Sequence, residues 1–184
     1  MKNSPTGARL TRRALLQTAG GAVAAAAFQT RPAAAAAADE TSIIGTLSAY
    51  MAAAGTRDLP REVIEKTKHH VLDTFAAMVS GAALPPGRVA LAFARAHANG
   101  KIATVAASDV LCGPIDAALA NGMMAHADET DDSHAPSQSH PGCSIVPAAL
   151  AAGEQFGIDG ARFLRAVALG YDVGPRVTIT LGGL

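Results

Sequence analysis

The apolar side chains of this chain recur every three or four residues, between breaks made by proline and glycine. Residues 61–80 show the pattern most clearly, because Pro60 precedes them and Gly81 follows them. Proline in the first turn and glycine just past the end are typical of an α-helix. At this spacing the apolar side chains share one face, which we expect to be buried. That face comprises Val63, Ile64, Thr67, Val71, Leu72, Phe75, Met78 and Val79.

The same period continues along the chain and predicts an all-α fold. Besides 61–80, the predicted helices are 42–54, 89–98, 115–127, 144–156 and a last helix from about 159 to 172. Pro85-Pro86-Gly87 is expected to break the chain, and Gly174-Pro175 to bend or end the last helix. Helix 115–127 is rich in alanine and methionine, so we expect burial on most of its sides. Residues 103–108 are too few to assign. No strand-like alternation and no internal repeat is present.

Residues 1–38 have the layout of an export signal and are expected to lie outside the fold. Lys2, Arg9 and Arg12-Arg13 form a positive leader, and an uncharged, alanine-rich run of 15 residues follows at 14–28. Ala36-Ala37-Ala38 offers a cleavage site. The run is shorter than the roughly 20 residues that span a bilayer. The arginine pair resembles the twin-arginine signal, which predicts a periplasmic or secreted protein without stable membrane association after cleavage. The alternative is a disordered, alanine-rich leader.

The charge balance of residues 39–184 argues against nucleic acid as a partner. Five of the fifteen basic residues lie before residue 39, and all fifteen acids lie at or after it, so residues 39–184 have a net charge of −5. This segment has no basic run and no tryptophan for base stacking. Cys112 and Cys143 provide neither a disulfide framework nor a metal-binding Cys pair, and we expect two free, largely buried thiols.

Residues 121–147 concentrate the ionisable groups of the chain and are the predicted functional site. Four of the fifteen acids fall in five positions here, and three of the six histidines bracket them. They are Asp128, Glu129, Asp131, Asp132, His126, His134 and His140. The negative end of a helix precedes the acids, so they are expected to need positive charge that the chain does not evidently supply nearby. His69 and His70 point roughly 100° apart on a helix and are interpreted as ordinary surface or interface residues.

The order of these residues resembles the MmgE/PrpD family, which includes 2-methylcitrate dehydratases and cis-aconitate decarboxylases. The resemblance covers most of 42–184 and peaks at 121–150. It is carried by Leu59-Pro60, Asp73-Thr74, Asn121-Gly122, Ala125-His126, Glu129, Asp131-Asp132, Ser133, His134, His140-Pro141, Pro147-Ala148 and Gly170-Tyr171-Asp172-Val173. Glu129 stands where the family usually has Asp, and Ser133 where many members have Thr.

The resemblance implies a lyase that removes water or carbon dioxide from a small di- or tricarboxylate without a metal cofactor. His140 and His126 are then expected as acid/base or carboxylate-binding groups, since imidazole titrates near neutrality. Ser133 is expected to donate a hydrogen bond to a substrate carboxylate, and Glu129 to carry a proton. Asp131, Asp132 and His134 are expected to bind substrate.

The resemblance also implies a helical-bundle domain, a second, mixed α/β domain beyond this segment, and a homodimer. Residues 39–184 would then be part of the helical domain and inactive alone. Two alternatives remain open. One is an exported, non-catalytic helical interaction module. The other is a divalent-metal site at 126–140, although no recognised metal-binding spacing occurs there.

If the leader is a twin-arginine signal, replacing Arg12-Arg13 with Lys-Lys should retain the precursor inside the cell, because the exporter recognises the arginine pair. Cell fractionation measures this, with Lys2→Arg as the control. An unchanged periplasmic yield would exclude this export route.

Overall fold

The structure, a computed structural model, describes residues 42–181. Backbone contacts divide the chain into a unit of Met1–Thr46 and a unit of Leu47–Leu184. In the first unit only residues 42–46 are described, and the Ser42 hydroxyl there caps a helix by accepting a hydrogen bond from the Gly45 amide at 2.9 Å. The predicted export signal at 1–38 lies outside the described residues.

The described residues form six α-helices and one two-stranded hairpin, so the predicted all-α class is confirmed. The helices are α1 (Ile43–Ala54), α2 (Arg61–Gly81), α3 (Pro85–Ala96), α4 (Pro114–Ala125), α5 (Gly142–Phe156) and α6 (Gly160–Ile179). A 3₁₀ turn spans Ala135–Ser137. Within 42–181 no single helix is long and apolar enough to cross a membrane, and only α2 and α3 together, bent by 90°, meet that test.

Two of the predicted breaks are parts of helices. Pro85 and Pro86 form the first turn of α3, where an amide would have no helical acceptor, so proline costs little. Helix α6 continues through Pro175 to Ile179. Proline usually clashes with the Cβ of the preceding residue, but Gly174 has none, which removes that part of the penalty.

The core lies where α4 meets α2, α3 and α5. Its largest buried side chains include Met78, Met124, Val105, Val146 and Val167. Helices α2 and α4 approach so closely that a Cβ on Gly81 would lie 1.9 Å from the Met124 carbonyl oxygen. Position 81 therefore needs glycine because there is no space for a Cβ, and not because the backbone is left-handed, since φ is not positive there.

The predicted buried faces of α2 and α4 are partly wrong. Leu72 and Val79 are 70% and 60% exposed. At roughly 100° per residue they point about 120–140° away from Thr67, which is buried. On α4, Ile115 and Leu119 lie opposite the buried Ala117 and are 82% and 51% exposed, so this helix is buried on one side only.

The unassigned stretch 103–108 contains strand β1 (Ala103–Thr104), which pairs with β2 (Leu111–Cys112) in an antiparallel hairpin. Buried Asn121 of α4 stabilises it, since its side chain accepts from the Ala106 amide at 2.8 Å and donates to the Thr104 carbonyl at 2.9 Å. Both cysteines are free; Cys112 is buried as expected, whereas Cys143 is only partly buried.

Candidate active site

The acidic loop connects the end of α4 to the start of α5. It begins at His126, the C-cap of α4, and ends at Pro141, directly before α5. Its first acid, Asp128, accepts hydrogen bonds from the Thr130 hydroxyl at 2.7 Å and from the Ser80 hydroxyl at 3.1 Å. These bonds, that of Thr130 above all, hold the pKa of Asp128 below its usual value. Asp128 therefore connects the start of the loop to the end of α2 through the hydrogen bond from Ser80.

Asp131 is the buried centre of a three-residue cluster with His126 and His140. Its side chain is fully buried, while those of His126 and His140 are 45% and 37% exposed. The Asp131 Oδ1 atom lies 3.0 Å from His126 Nδ1 and 3.5 Å from His140 Nδ1. The second approach does not meet hydrogen-bond geometry, so His140 Nδ1 is a buried nitrogen without a partner among the described residues. The two imidazole rings lie 4.9 Å apart, centroid to centroid.

Cys143 borders this cluster on the side of α5. Its thiol donates to the His140 carbonyl at 3.1 Å. Burial, and then the neighbouring Asp131 carboxylate, raise the pKa of Cys143 to about 11. The thiol therefore stays protonated at neutral pH and acts as a hydrogen-bond donor there.

Asp132 forms a second cluster that joins three helices. Its Oδ2 accepts from the Tyr171 hydroxyl of α6 at 2.6 Å and lies 3.2 Å from His70 Nδ1 of α2. Its Oδ1 accepts from the Gly142 amide, in the first turn of α5, at 2.8 Å. The rings of His70 and Tyr171 lie 4.5 Å apart. Burial, and then the Asp132 carboxylate, raise the pKa of Tyr171, so its hydroxyl remains a donor.

The acids were expected to need positive charge that the chain does not evidently supply nearby, and the structure shows that two of them have imidazole and hydrogen-bonding partners within the chain. His126 and His140 face Asp131, and His70, Tyr171 and Gly142 face Asp132. The interpretation of His70 as an ordinary surface or interface residue was wrong. Thr67, His70 and Thr74 share one face of α2 at helical spacing, and this polar stripe was the signal available in the sequence.

The other predicted site residues do not join either cluster. Glu129 and Ser133 are exposed, and neither side chain makes a hydrogen bond or ion pair within residues 42–181. Glu129 has a left-handed backbone, with φ of +56°. The Nδ1 atom of His134 lies 2.7 Å from the Ser137 hydroxyl, and a backbone bridge joins His134 to Ser139. His134 therefore shapes the loop tip.

The arrangement suits proton transfer at an exposed imidazole held by a buried carboxylate. A carboxylate that accepts from one ring nitrogen fixes the tautomer and directs the other nitrogen outwards. His126 has this geometry with Asp131, and His140 stands beside it. The same three side chains each offer a ligand atom within 4.8 Å of the others, so they also have the composition of a metal site.

Comparison with known proteins identifies the class of this domain. Residues 45–183 match the MmgE/PrpD N-terminal domain. The chain belongs to the MmgE/PrpD family.

Two curated relatives show how distant the similarity is. The cis-aconitate decarboxylase-like protein oryM of Aspergillus oryzae is 29% identical over 133 residues, and the alignment covers 68% of this chain and 28% of the relative. The cis-aconitate decarboxylase of Aspergillus terreus is 28% identical over 127 residues, covering 66% of this chain and 26% of the relative. The chain thus spans about a quarter of the length of these relatives.

Removing the Tyr171 hydroxyl should weaken the contacts by which Asp132 connects α2, α5 and α6. We expect Tyr171→Phe to lower the free energy of unfolding by about 1.5 kcal/mol, the low end for a bond to a charged group, because the pair is partly exposed. The raised pKa means that the folded state holds this proton more tightly than the unfolded chain. Its contribution is complete below about pH 10, and it is lost as the pH rises through the raised pKa.

Urea titrations at pH 7 and at alkaline pH measure both effects. Tyr50→Phe is a matched control, because the Tyr50 hydroxyl also donates to a carboxylate, Asp172, at 2.5 Å, but on the exposed surface. We expect a much smaller loss there. Equal losses in the two variants would contradict a joining role for Tyr171.

Proposed function

We propose that this domain contributes one wall of the active site of a lyase that removes water or carbon dioxide from a small di- or tricarboxylate, such as cis-aconitate or 2-methylcitrate. The observation that carries the proposal is the buried Asp131 carboxylate between two half-exposed imidazoles, His126 and His140. Family membership and the names of the two relatives support the reaction class.

We propose that His126, His140 and Asp131 take part in proton transfer. Loss of water from a hydroxy acid needs a base for the proton alpha to a carboxylate and an acid for the departing hydroxyl, and decarboxylation needs a proton donor for the resulting carbanion. His140 and His126 are suitable, since both rings are partly exposed. The buried Asp131 holds His126 through a hydrogen bond and lies 3.5 Å from His140 Nδ1. We assign His140 first, because its ring is 37% exposed while its Nδ1 is buried beside Asp131, so the exposed edge of the ring is the part that can meet a substrate.

The exposed residues of the loop are proposed to meet the substrate. Glu129 and Ser133 have no partner within the described part of the chain, so a carboxyl group and a hydroxyl remain available for proton transfer and for binding a substrate carboxylate. The strained backbone of Glu129 is typical of a residue kept for function. The carboxylates of Asp131 and Asp132 already contact or hydrogen-bond to groups within the chain. We therefore propose that they position the histidines and the loop rather than contact substrate.

The remaining wall must come from groups that face this loop. A base and an acid have to approach one substrate from different sides at hydrogen-bonding distance, and the loop offers only one side. Substrate carboxylates also need cationic partners, and the loop has none besides its histidines. We propose that the matching groups lie in sequence that the longer relatives contain outside the aligned quarter.

Turnover of cis-aconitate and 2-methylcitrate tests the proposal. Residues 39–184 alone should be inactive, whereas the protein produced from its own gene, with any sequence that follows Leu184, should turn over one of the two substrates. In that protein His140→Ala should lower kcat by a factor of about 10²–10⁴, the usual contribution of general acid–base catalysis. Its melting temperature should stay close to that of the wild type.

His97→Ala is the matched control. His97 is the exposed C-cap residue of α3, and its ring stacks on Phe93 of the same helix, so its loss should leave the rate unchanged. Strong turnover by residues 39–184, or a rate indifferent to His140→Ala, would contradict the proposal.

A divalent-metal site is the second candidate, favoured by the ligand atoms of His126, Asp131 and His140 within 4.8 Å of one another. Two imidazoles and a carboxylate are the ligand types of many zinc sites. The lyase proposal expects no stoichiometric zinc, manganese or iron in the purified protein by elemental analysis, and a melting temperature insensitive to chelator. One tightly bound ion per chain, lost in His126→Ala, would instead establish the metal site.

A further inference from the structure

A cleft on the other side of α6 contains two arginines without anionic partners. It has a volume of about 360 Å³ and lies between α1, the segment before α2, α2 itself and α6. This volume is at the lower end of the range for small-molecule sites. Its floor is apolar, formed mainly by Ala54, Leu59, Val63 and Leu169. Arg57 and Arg165 line its sides.

Arg165 is the less exposed of the two arginines and carries an uncompensated charge. Its Nη1 donates to the Gly55 carbonyl at 2.7 Å. Its Nε is buried and has no acceptor in the described structure. Among residues 42–181 no carboxylate forms an ion pair with this guanidinium. Burying part of an unpaired charge is costly, and an anion beside it would remove most of that cost.

Arg57 is an exposed residue that lines the same cleft. Its guanidinium carbon lies 5.9 Å from the centre of the Tyr50 ring, and no ion pair engages it within the described residues. Its neighbour Asp58 also lines the cleft but is paired with neither arginine.

The third arginine of the cleft, unlike the other two, forms an ion pair with a carboxylate. Arg176 donates through Nε to Asp172 Oδ1 at 2.7 Å, and Asp172 also accepts from Tyr50. Each carboxylate oxygen of Asp172 thus already accepts a hydrogen bond, and no ion pair joins Asp172 to Arg165 within residues 42–181. The cleft keeps two unpaired positive charges against one unpaired negative charge, above an apolar floor.

We propose that this cleft binds a small monocarboxylate with an apolar body, with its carboxylate between Arg165 and Arg57 and its hydrocarbon part on the floor. Arginine is suited to this because its planar guanidinium can donate two parallel hydrogen bonds to one carboxylate. The apolar floor selects against inorganic anions and against polycarboxylates, whose remaining charges would be placed on Leu59 and Val63. A cationic ligand is excluded by the two arginines.

The cleft is separate from the candidate active site. It shares no residue with the clusters around Asp131 and Asp132, and its function does not rest on the proposed lyase activity. The two sites share helices α2 and α6. Val63 lines the cleft on the helix that carries His70, and Asp172 lines it beside Tyr171, which donates to Asp132.

Hexanoate is the probe, and its binding to the purified chain is measured by calorimetry and by the shift in melting temperature. We expect saturable binding of one hexanoate per chain, with hexylamine, inorganic phosphate and citrate binding at least about tenfold more weakly. Arg165→Gln should weaken hexanoate binding about tenfold or more, the loss expected when a charge-assisted bond is removed. Arg57→Gln should weaken it too, and because Arg57 is exposed this variant should fold normally.

The controls separate this site from the lyase proposal. Arg162→Gln removes an exposed arginine of α6 that does not line the cleft, and its affinity should match the wild type. His140→Ala should also leave hexanoate binding unchanged. Absence of saturable binding, equal affinity in Arg57→Gln and the wild type, or equal binding of citrate would overturn the proposal.

Discussion

The interaction on which the site depends is the hold of the Asp132 carboxylate on Gly142, Tyr171 and His70. These partners come from α5, α6 and α2, so one side chain of the loop joins three helices. The groups around Asp132 leave no room for a side chain at position 142. A Cβ there would lie 2.7 Å from both the Asp132 Oδ1 and the Thr74 hydroxyl. Glycine is therefore required at the start of α5. Because Gly142 is held by Asp132, the position of His140, two residues earlier, is fixed as well.

Neighbouring acids of the loop have different tasks because their surroundings differ. Asp131 is fully buried and faces the two imidazoles, whereas Asp132 faces a phenol, an amide and a third imidazole. Asp128 pins the start of the loop to α2. Glu129 alone among these acids has neither a partner within residues 42–181 nor a relaxed backbone. The internal bonds of three acids thus hold the loop in which the fourth has no partner among the described residues.

Small side chains let these polar clusters form inside a helical body. Gly81 allows α2 to touch the Met124 carbonyl, and Gly170 faces Ile145 so closely that a Cβ would lie 2.6 Å from its Cγ2. Such approaches place helix α2, with His70, and helix α6, with Tyr171, within hydrogen-bonding distance of one loop. The arginine cleft lies where α1 and α6 leave a gap instead.

Periodicity and motif order were enough to predict the helical class, five of the six helices to within a few residues at both ends, and the loop in which acids and histidines cluster. Helical spacing is local, so it can be read without knowing what a helix packs against. Which face of α2 is buried, as Leu72 and Val79 show, depends on its neighbours. The helical first turn at Pro85 and the passage of α6 through Pro175 are instead local matters, since proline fits a first turn and Gly174 has no Cβ to clash with the proline ring. The pairing of Asp131 with His126 and His140, and of Asp132 with His70 and Tyr171, was decided only by the tertiary structure. Tyr171 lies 39 residues from Asp132, and no local pattern can report a contact that packing creates.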